Sequence, residues 1–146
     1  MTDLLSRRDR QTLVKVVRTA FPHQRFPDGP YHRAADAVVE AAGSDAWFLA
    51  QLLQGLVDLD SQRDQPFAEL DDETAAAVLR GADGTPFLTK IVDSVVVTLY
   101  SDPEVWGLIG YEGPSFDQGG YINRGYDDLD WLPEPQIEYS EHEVTR

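Results

Sequence analysis

The chain has no cysteine, so disulfides, thiolate metal sites and a cysteine nucleophile are all excluded. It lacks a long apolar run: no uninterrupted stretch approaches the roughly 20 residues that a membrane-spanning helix needs, so membrane insertion is not expected. Positive charge is scarce as well. Lys and Arg number 12 against 26 Asp and Glu, for a net charge of −14. Such a field repels phosphate backbones and anionic surfaces, which argues against nucleic acid as a partner. The imbalance is uneven, with seven Lys/Arg against three Asp/Glu in residues 1–33 and five against 23 in the remainder. The reading is a basic amino-terminal edge beside an acidic body.

What is present is enough for a folded domain. The 146 residues are 42% hydrophobic and carry 15 aromatic rings, too apolar for a disordered chain and long enough to bury a core. The order Leu5-Ser6-Arg7-Arg8-Asp9 is similar to a twin-arginine export signal. The following Leu13–Phe21 segment, however, is broken by Lys15 and Arg18 and has no small-residue cleavage site.

Helical periodicity dominates the first hundred residues. Leu13, Val16, Val17, Ala20 and Phe21 recur at i, i+3, i+4, i+7 and i+8 behind a capping Ser6, predicting a helix over 6–20. The Pro/Gly-rich stretch from Pro22 to Pro30 reads as a loop. A second helix over 31–42 presents Ala35, Val38, Val39 and Ala42 and stops at Gly43. Asp45 caps a third, whose Leu49, Leu52, Leu53, Leu56 and Val57 form the widest apolar stripe and mark it as the central helix. Asp71 or Asp72 opens a short fourth helix, with Gly81 placed for a left-handed cap. Thr85 and Pro86 launch a fifth, in which Leu88, Ile91, Val92, Val95, Val96 and Leu99 keep the 3.6 period. That period overrides the strand propensity of Val95-Val96-Val97-Thr98. Asp102-Pro103 ends it. Leu52, Leu53, Leu56, Val92 and Val96 are the expected core.

From Tyr100 to Trp131 the composition changes: seven of the 15 rings alternate with six of the 11 glycines, and no helical or strand period fits. Residues 132–146 form an acidic, proline-containing tail. The expected architecture is therefore mainly α, a bundle of about five helices over 1–100. An irregular aromatic and glycine-rich segment follows over 101–131, then the tail.

Catalytic and metal chemistry is poorly represented. Asp58, Asp60, Asp64 and Glu69 match acidic positions of a calcium loop, but Arg63 stands where glycine is required and Gln65 where an apolar residue belongs. Asp127-Asp128-Leu129-Asp130 reads as an acidic turn. His23, His32 and His142 are scattered without a metal-binding or base-orienting pattern. Ser115 follows a proline rather than sitting in a strand-to-helix elbow. The run Gly119 to Gly125 lacks both phosphate-binding fingerprints. Catalytic, cofactor and metal residues are thus expected to be none, although Asp102, Glu104 and Glu112 are the carboxylates from which an acid/base pair would have to be drawn.

The rings are the distinctive feature. Glycine permits close backbone approach, and large rings bury extensive area at low entropy cost, which is how interfaces are anchored. Tyr100, Trp106, Tyr111, Phe116, Tyr121, Tyr126 and Trp131 are the candidate docking residues; the alternative is that they fold back and cap the helical cluster.

The run Leu99-Tyr100-Ser101-Asp102-Pro103-Glu104-Val105-Trp106-Gly107-Leu108-Ile109-Gly110-Tyr111-Glu112-Gly113 resembles the carboxyl-terminal signature of the gluconate 2-dehydrogenase subunit 3 family. Thr19-Ala20-Phe21-Pro22 is similar to that family's opening helix end. The resemblance is strongest over 86–114. It implies a small, mainly helical, non-catalytic accessory subunit that supports a large FAD-binding oxidoreductase of the glucose-methanol-choline type, acting on sugars, sugar acids or alcohols. FAD is then expected in the partner and no cofactor in this chain. Many relatives carry a twin-arginine signal and a Gly-Gly-Asn stretch after the Asp-Pro, which this chain lacks. The expectation is a cytoplasmic complex, or export only on a partner's signal. The competing expectation is a free-standing carbohydrate-binding module stacking sugars on Trp106, Tyr111, Tyr121 and Trp131.

Overall fold

The computed structural model describes residues 4–120. The chain divides into two units, residues 1–112 and 113–146. The first unit is built of α1 (Arg7–Ala20), α2 (Asp28–Gly43), α3 (Ala46–Asp60), α4 (Asp72–Arg80), α5 (Pro86–Tyr100) and α6 (Pro103–Ile109), with a 3-10 turn at Phe67–Glu69. Among the described residues there is no strand, and no helix is long and apolar enough to cross a membrane. The mainly α bundle is as expected, with one helix more.

Local chemistry starts most of these helices. Ser6 and Asp9 form a reciprocal capping box on α1, Asp45 accepts from the amides of Trp47 and Phe48, Asp71 from Thr74, and Thr85 from Leu88. Each supplies an acceptor to amide groups that a helix start leaves unpaired. The β-branched run of α5 is helical, and Thr98 returns its hydroxyl to the Ser94 carbonyl at 2.9 Å.

Three expectations about element ends are corrected. α2 starts at Asp28, not 31, because Pro30 sits in its first turn, where an amide has no intrahelical partner to lose. Gly81 takes right-handed backbone, φ −65°; the left-handed glycine is Gly84, φ +73°, directly before the Thr85 cap. α6 was not anticipated, since seven residues are too few to display a period. Asp102 caps it and Pro103 occupies its first turn.

The core is also arranged differently. α3 is not the central element: the most extensive helix pair is α2 with α5, where α2 buries Tyr31, Ala34, Ala35, Val38 and Ala42, with α1 and α3 packed beside it. α5 buries Leu88, Ile91, Val95 and Leu99, while α3 buries Phe48, Leu52, Leu56 and Leu59. Leu53 and Val96, expected in the core, are 36% and 42% exposed, and Val92 is only half-buried. Each lies one residue beyond the stripe that a neighbouring helix can cover. At one point α3 and α5 come unusually close. A Cβ on Gly55 would stand 2.2 Å from a ring carbon of buried Phe87.

Much of the basic edge is paired within the fold. Arg8 pairs with Asp60 and Lys15 with Asp72, both at 2.8 Å, Arg10 with Asp36, and Arg18 with Asp28 while lying over the Tyr31 ring. Pairs this exposed are worth about 0–1 kcal/mol each; their effect is to bind α1 to α2, α3 and α4. Of the second unit, residues 113–120 hold a 3-10 turn at Phe116–Gln118, closed by amides of Gln118 and Gly120 donating to the Ser115 carbonyl.

Candidate functional site

The described part of the aromatic segment centres on the α5–α6 corner. α5 ends at Tyr100 and the chain reverses through Ser101 into Asp102. The Asp102 side chain is buried and accepts from the Glu104 amide at 2.9 Å. Its carboxylate is also gripped by the Arg33 guanidinium of α2, Nε to Oδ2 at 2.6 Å and Nη2 to Oδ1 at 2.9 Å. The same Nη2 reaches Glu104 Oε2 at 2.6 Å. Charge-assisted forks of this kind fix orientation as well as distance.

The Arg33 hydrogen bond holds the Asp102 carboxyl below its usual range, with the Glu104 amide acting in the same sense and burial opposing. Asp102 and Glu104 in turn push the Arg33 guanidinium further up. A carboxylate so stabilised in its charged form is a poor proton donor near neutrality. Glu104, sharing the clamp, is committed to the same cation. Glu112 lies exposed beyond the end of α6. Of the three carboxylates considered for acid/base work, two are engaged in holding α6 to α2.

The acid limb of stability follows from the same groups. The pKa of Asp45 is lowered by Lys90, that of Asp71 by the Thr74 amide and hydroxyl, that of Asp72 by Lys15 and that of Asp102 by Arg33. Below their usual pKa of 3.8 these groups bind more protons unfolded than folded. Their stabilisation is therefore complete above that value and lost as pH falls through the lowered ones. Melting followed by circular dichroism at pH 6, 4 and 3 should show the gap between the native chain and Asp102→Asn narrowing as pH falls.

The rings divide between internal and outward roles. Tyr100 shares a 2.6 Å hydrogen bond with His23 Nε2 and meets Phe21 and His23 edge-on, yet is 39% exposed. Tyr31, fully buried, donates to the Phe21 carbonyl at 2.6 Å and accepts from the His23 amide at 3.2 Å. The loop residue His23 is thereby tied to the end of α5, a contact that no local pattern signals.

Trp106 is half-buried and donates its indole N–H to the Tyr100 carbonyl at 2.6 Å. Gly110, φ +75°, terminates α6, and the Tyr111 amide donates back to the Trp106 carbonyl at 2.9 Å. This is a Schellman closure, and its usual apolar contact is the Trp106–Tyr111 ring pair, 5.2 Å apart at 88°. Gly110→Ala is expected to cost about 1–2 kcal/mol through left-handed strain, read as a lower urea midpoint with an unchanged slope. A midpoint equal to that of the native chain would show that the turn carries no such strain.

What these contacts leave outward is apolar. Val96, Val97 and Tyr100 on α5, and Leu108, Ile109 and Tyr111 at α6, are all exposed. Phe116, in the second unit, is 89% exposed. Tyr121, Tyr126 and Trp131 lie outside the described residues, as do His142, the acidic turn 127–130 and the tail.

Elsewhere, Asp60 accepts from Arg8, from Thr12 and from the Phe67 amide, and Asp58 from Gln54. The calcium-like spacing is thus resolved into helix-end contacts. Among the described residues no group of three or more His, Asp or Glu side chains is placed to hold a metal. No family model, curated protein or solved structure matches the chain.

Proposed function

We propose that this chain is a non-catalytic accessory subunit that docks, through the α5–α6 corner, on a larger FAD-dependent sugar or alcohol oxidoreductase. The observation that supports the docking role is the exposure of the apolar residues Val96, Val97, Tyr100, Leu108, Ile109 and Tyr111 about this corner. Arg33, Asp102 and the Gly110 turn hold the corner in one shape. Preformed apolar surface with aromatic anchors is the usual currency of protein interfaces. The partner's identity is supported by the resemblance of residues 86–114 to the gluconate 2-dehydrogenase subunit 3 family; FAD and the chemistry would reside in that partner.

The corner suits docking better than sugar stacking. Trp106 and Tyr111 stand edge to face and offer no common flat platform, and the Trp106 N–H is already engaged by the Tyr100 carbonyl.

The test is co-expression with a glucose-methanol-choline-type flavoprotein from the same genome. The expected result is co-purification that Leu108→Asp/Ile109→Asp abolishes while the variant melts as the native chain does. A flavoprotein that is soluble, flavin-loaded and fully active without this chain would overturn the reading.

A further inference from the structure

A cleft of about 620 Å³ opens between α3, the carboxyl end of α4 and the start of α5, within the size range of small-molecule sites. It lies near the opposite end of α5 from the docking corner. Phe87 at the cleft and Tyr100 at the corner are 13 positions apart on one helix, about 20 Å. Nothing about the cleft depends on the docking reading.

Facing Phe87 and an otherwise largely apolar wall that includes Leu59, Val78, Ala82 and Pro86, one stripe of α3 and its end forms the polar side of the cleft: Trp47, Gln51, Gln54, Asp58 and Gln62. Steps of three and four put these residues on a single face. The hydrophobic pattern hides them, because the face is polar.

The chemistry of this lining is specific. Trp47 is 72% exposed, a large indole kept in water at the cleft margin. The Gln51 Oε1 is closed off from solvent and has no hydrogen-bond partner in the chain, an uncommon state for a buried acceptor. Three primary amides offer donors, and those of Gln54 and Gln62 an acceptor as well, matching the dual character of hydroxyl groups. No Lys, Arg or His lines the cleft, so nothing there compensates an anionic ligand in a chain of charge −14. Its single charge, Asp58, accepts from Gln54 Nε2 at 2.8 Å, and the choline arm of the titration below reads whether it draws a cation instead.

We infer that this cleft binds a neutral polyhydroxylated ligand, a short saccharide or sugar alcohol. Its apolar C–H face lies against Trp47, and its hydroxyls pair with the amides of Gln54 and Gln62 and accept from the side-chain N–H of Gln51, whose enclosed oxygen stays out of reach.

The full chain, labelled with ¹⁵N, is titrated with glucose, maltose, cellobiose and sorbitol, and in parallel with choline chloride and sodium gluconate as charged comparators. The expected result is saturable movement of the Trp47 indole and Gln51 amide signals with at least one neutral probe, insensitive to added salt, while the Trp106 indole stays still. Trp47→Ala, at an exposed position, should weaken binding about tenfold or more with melting unchanged, and Gln51→Leu should do the same through the amide. Absence of saturable movement with all four neutral probes, equal binding by Trp47→Ala, or a response confined to choline or gluconate would each overturn the inference.

Discussion

Asp102→Ala is expected to cost about 2–3 kcal/mol of folding stability. Two losses contribute. The helix cap on the Glu104 amide is worth about 1 kcal/mol, and the paired bonds from half-exposed Arg33 about 1.5–2 kcal/mol, the low end for charge-assisted contacts. Arg33 has a half-exposed side chain and keeps Glu104. It is therefore rehydrated rather than stranded, and the total stays below the 3–5 kcal/mol of a fully buried broken pair. Asp102→Asn retains a capping oxygen and should lose about half as much. Urea denaturation followed by circular dichroism gives both values. A cost under about 0.5 kcal/mol for the alanine variant, within the range of ordinary surface substitutions, would show that α6 is not held by this clamp.

Gly55→Ala is expected to destabilise by about 2 kcal/mol, against the direction of helix propensity. Glycine in a helix interior is about 1 kcal/mol worse than alanine, so a site with room would gain. Here the new Cβ meets the Phe87 ring at 2.2, 2.4 and 2.6 Å, and Phe87 is buried at the first turn of α5. The ring must turn into the cleft it lines or push α5 off α3, and overpacking of this kind costs up to about 3 kcal/mol. Phe87→Leu removes the ring, so the double variant should recover more than the two single effects predict. A coupling of about 1 kcal/mol or more in that cycle confirms the contact; strictly additive effects would refute it.

These positions show what a sequence can and cannot disclose. The starts of α1, α3, α4 and α5 were legible because Ser6, Asp45, Asp71 and Thr85 act on amides two or three residues away. The start of α2 was not, because Pro22 to Pro30 carries the composition of a loop while Pro30 is tolerated in a first turn. α6 was hidden by its length. The core stripes were visible but their edges were not, since Leu53 and Val96 differ from Leu52 and Val95 only in which neighbour stands opposite.

Of the candidate site, the ring-rich composition was legible, whereas the corner that supports it was not. Arg33 lies 69 residues from Asp102, and His23 lies 77 from Tyr100. No local pattern can couple them. The amide-lined face of α3 escaped notice for a different reason: periodicity searches weigh apolar residues, and this stripe is mostly polar.

The wiring of α1 has a consequence for how the chain is made. α1 finds its ion-pair partners 10, 26, 52 and 57 residues downstream, and the α2–α6 clamp closes only after Asp102 has been synthesised. A nascent chain stopped after α3 would therefore hold α1 with Asp72 still unmade and Leu13, Val16 and Val17 incompletely covered. Native closure must await translation of the last third of the helical unit, and until then the amino-terminal half is a client for any chaperone that recognises bare aliphatic surface.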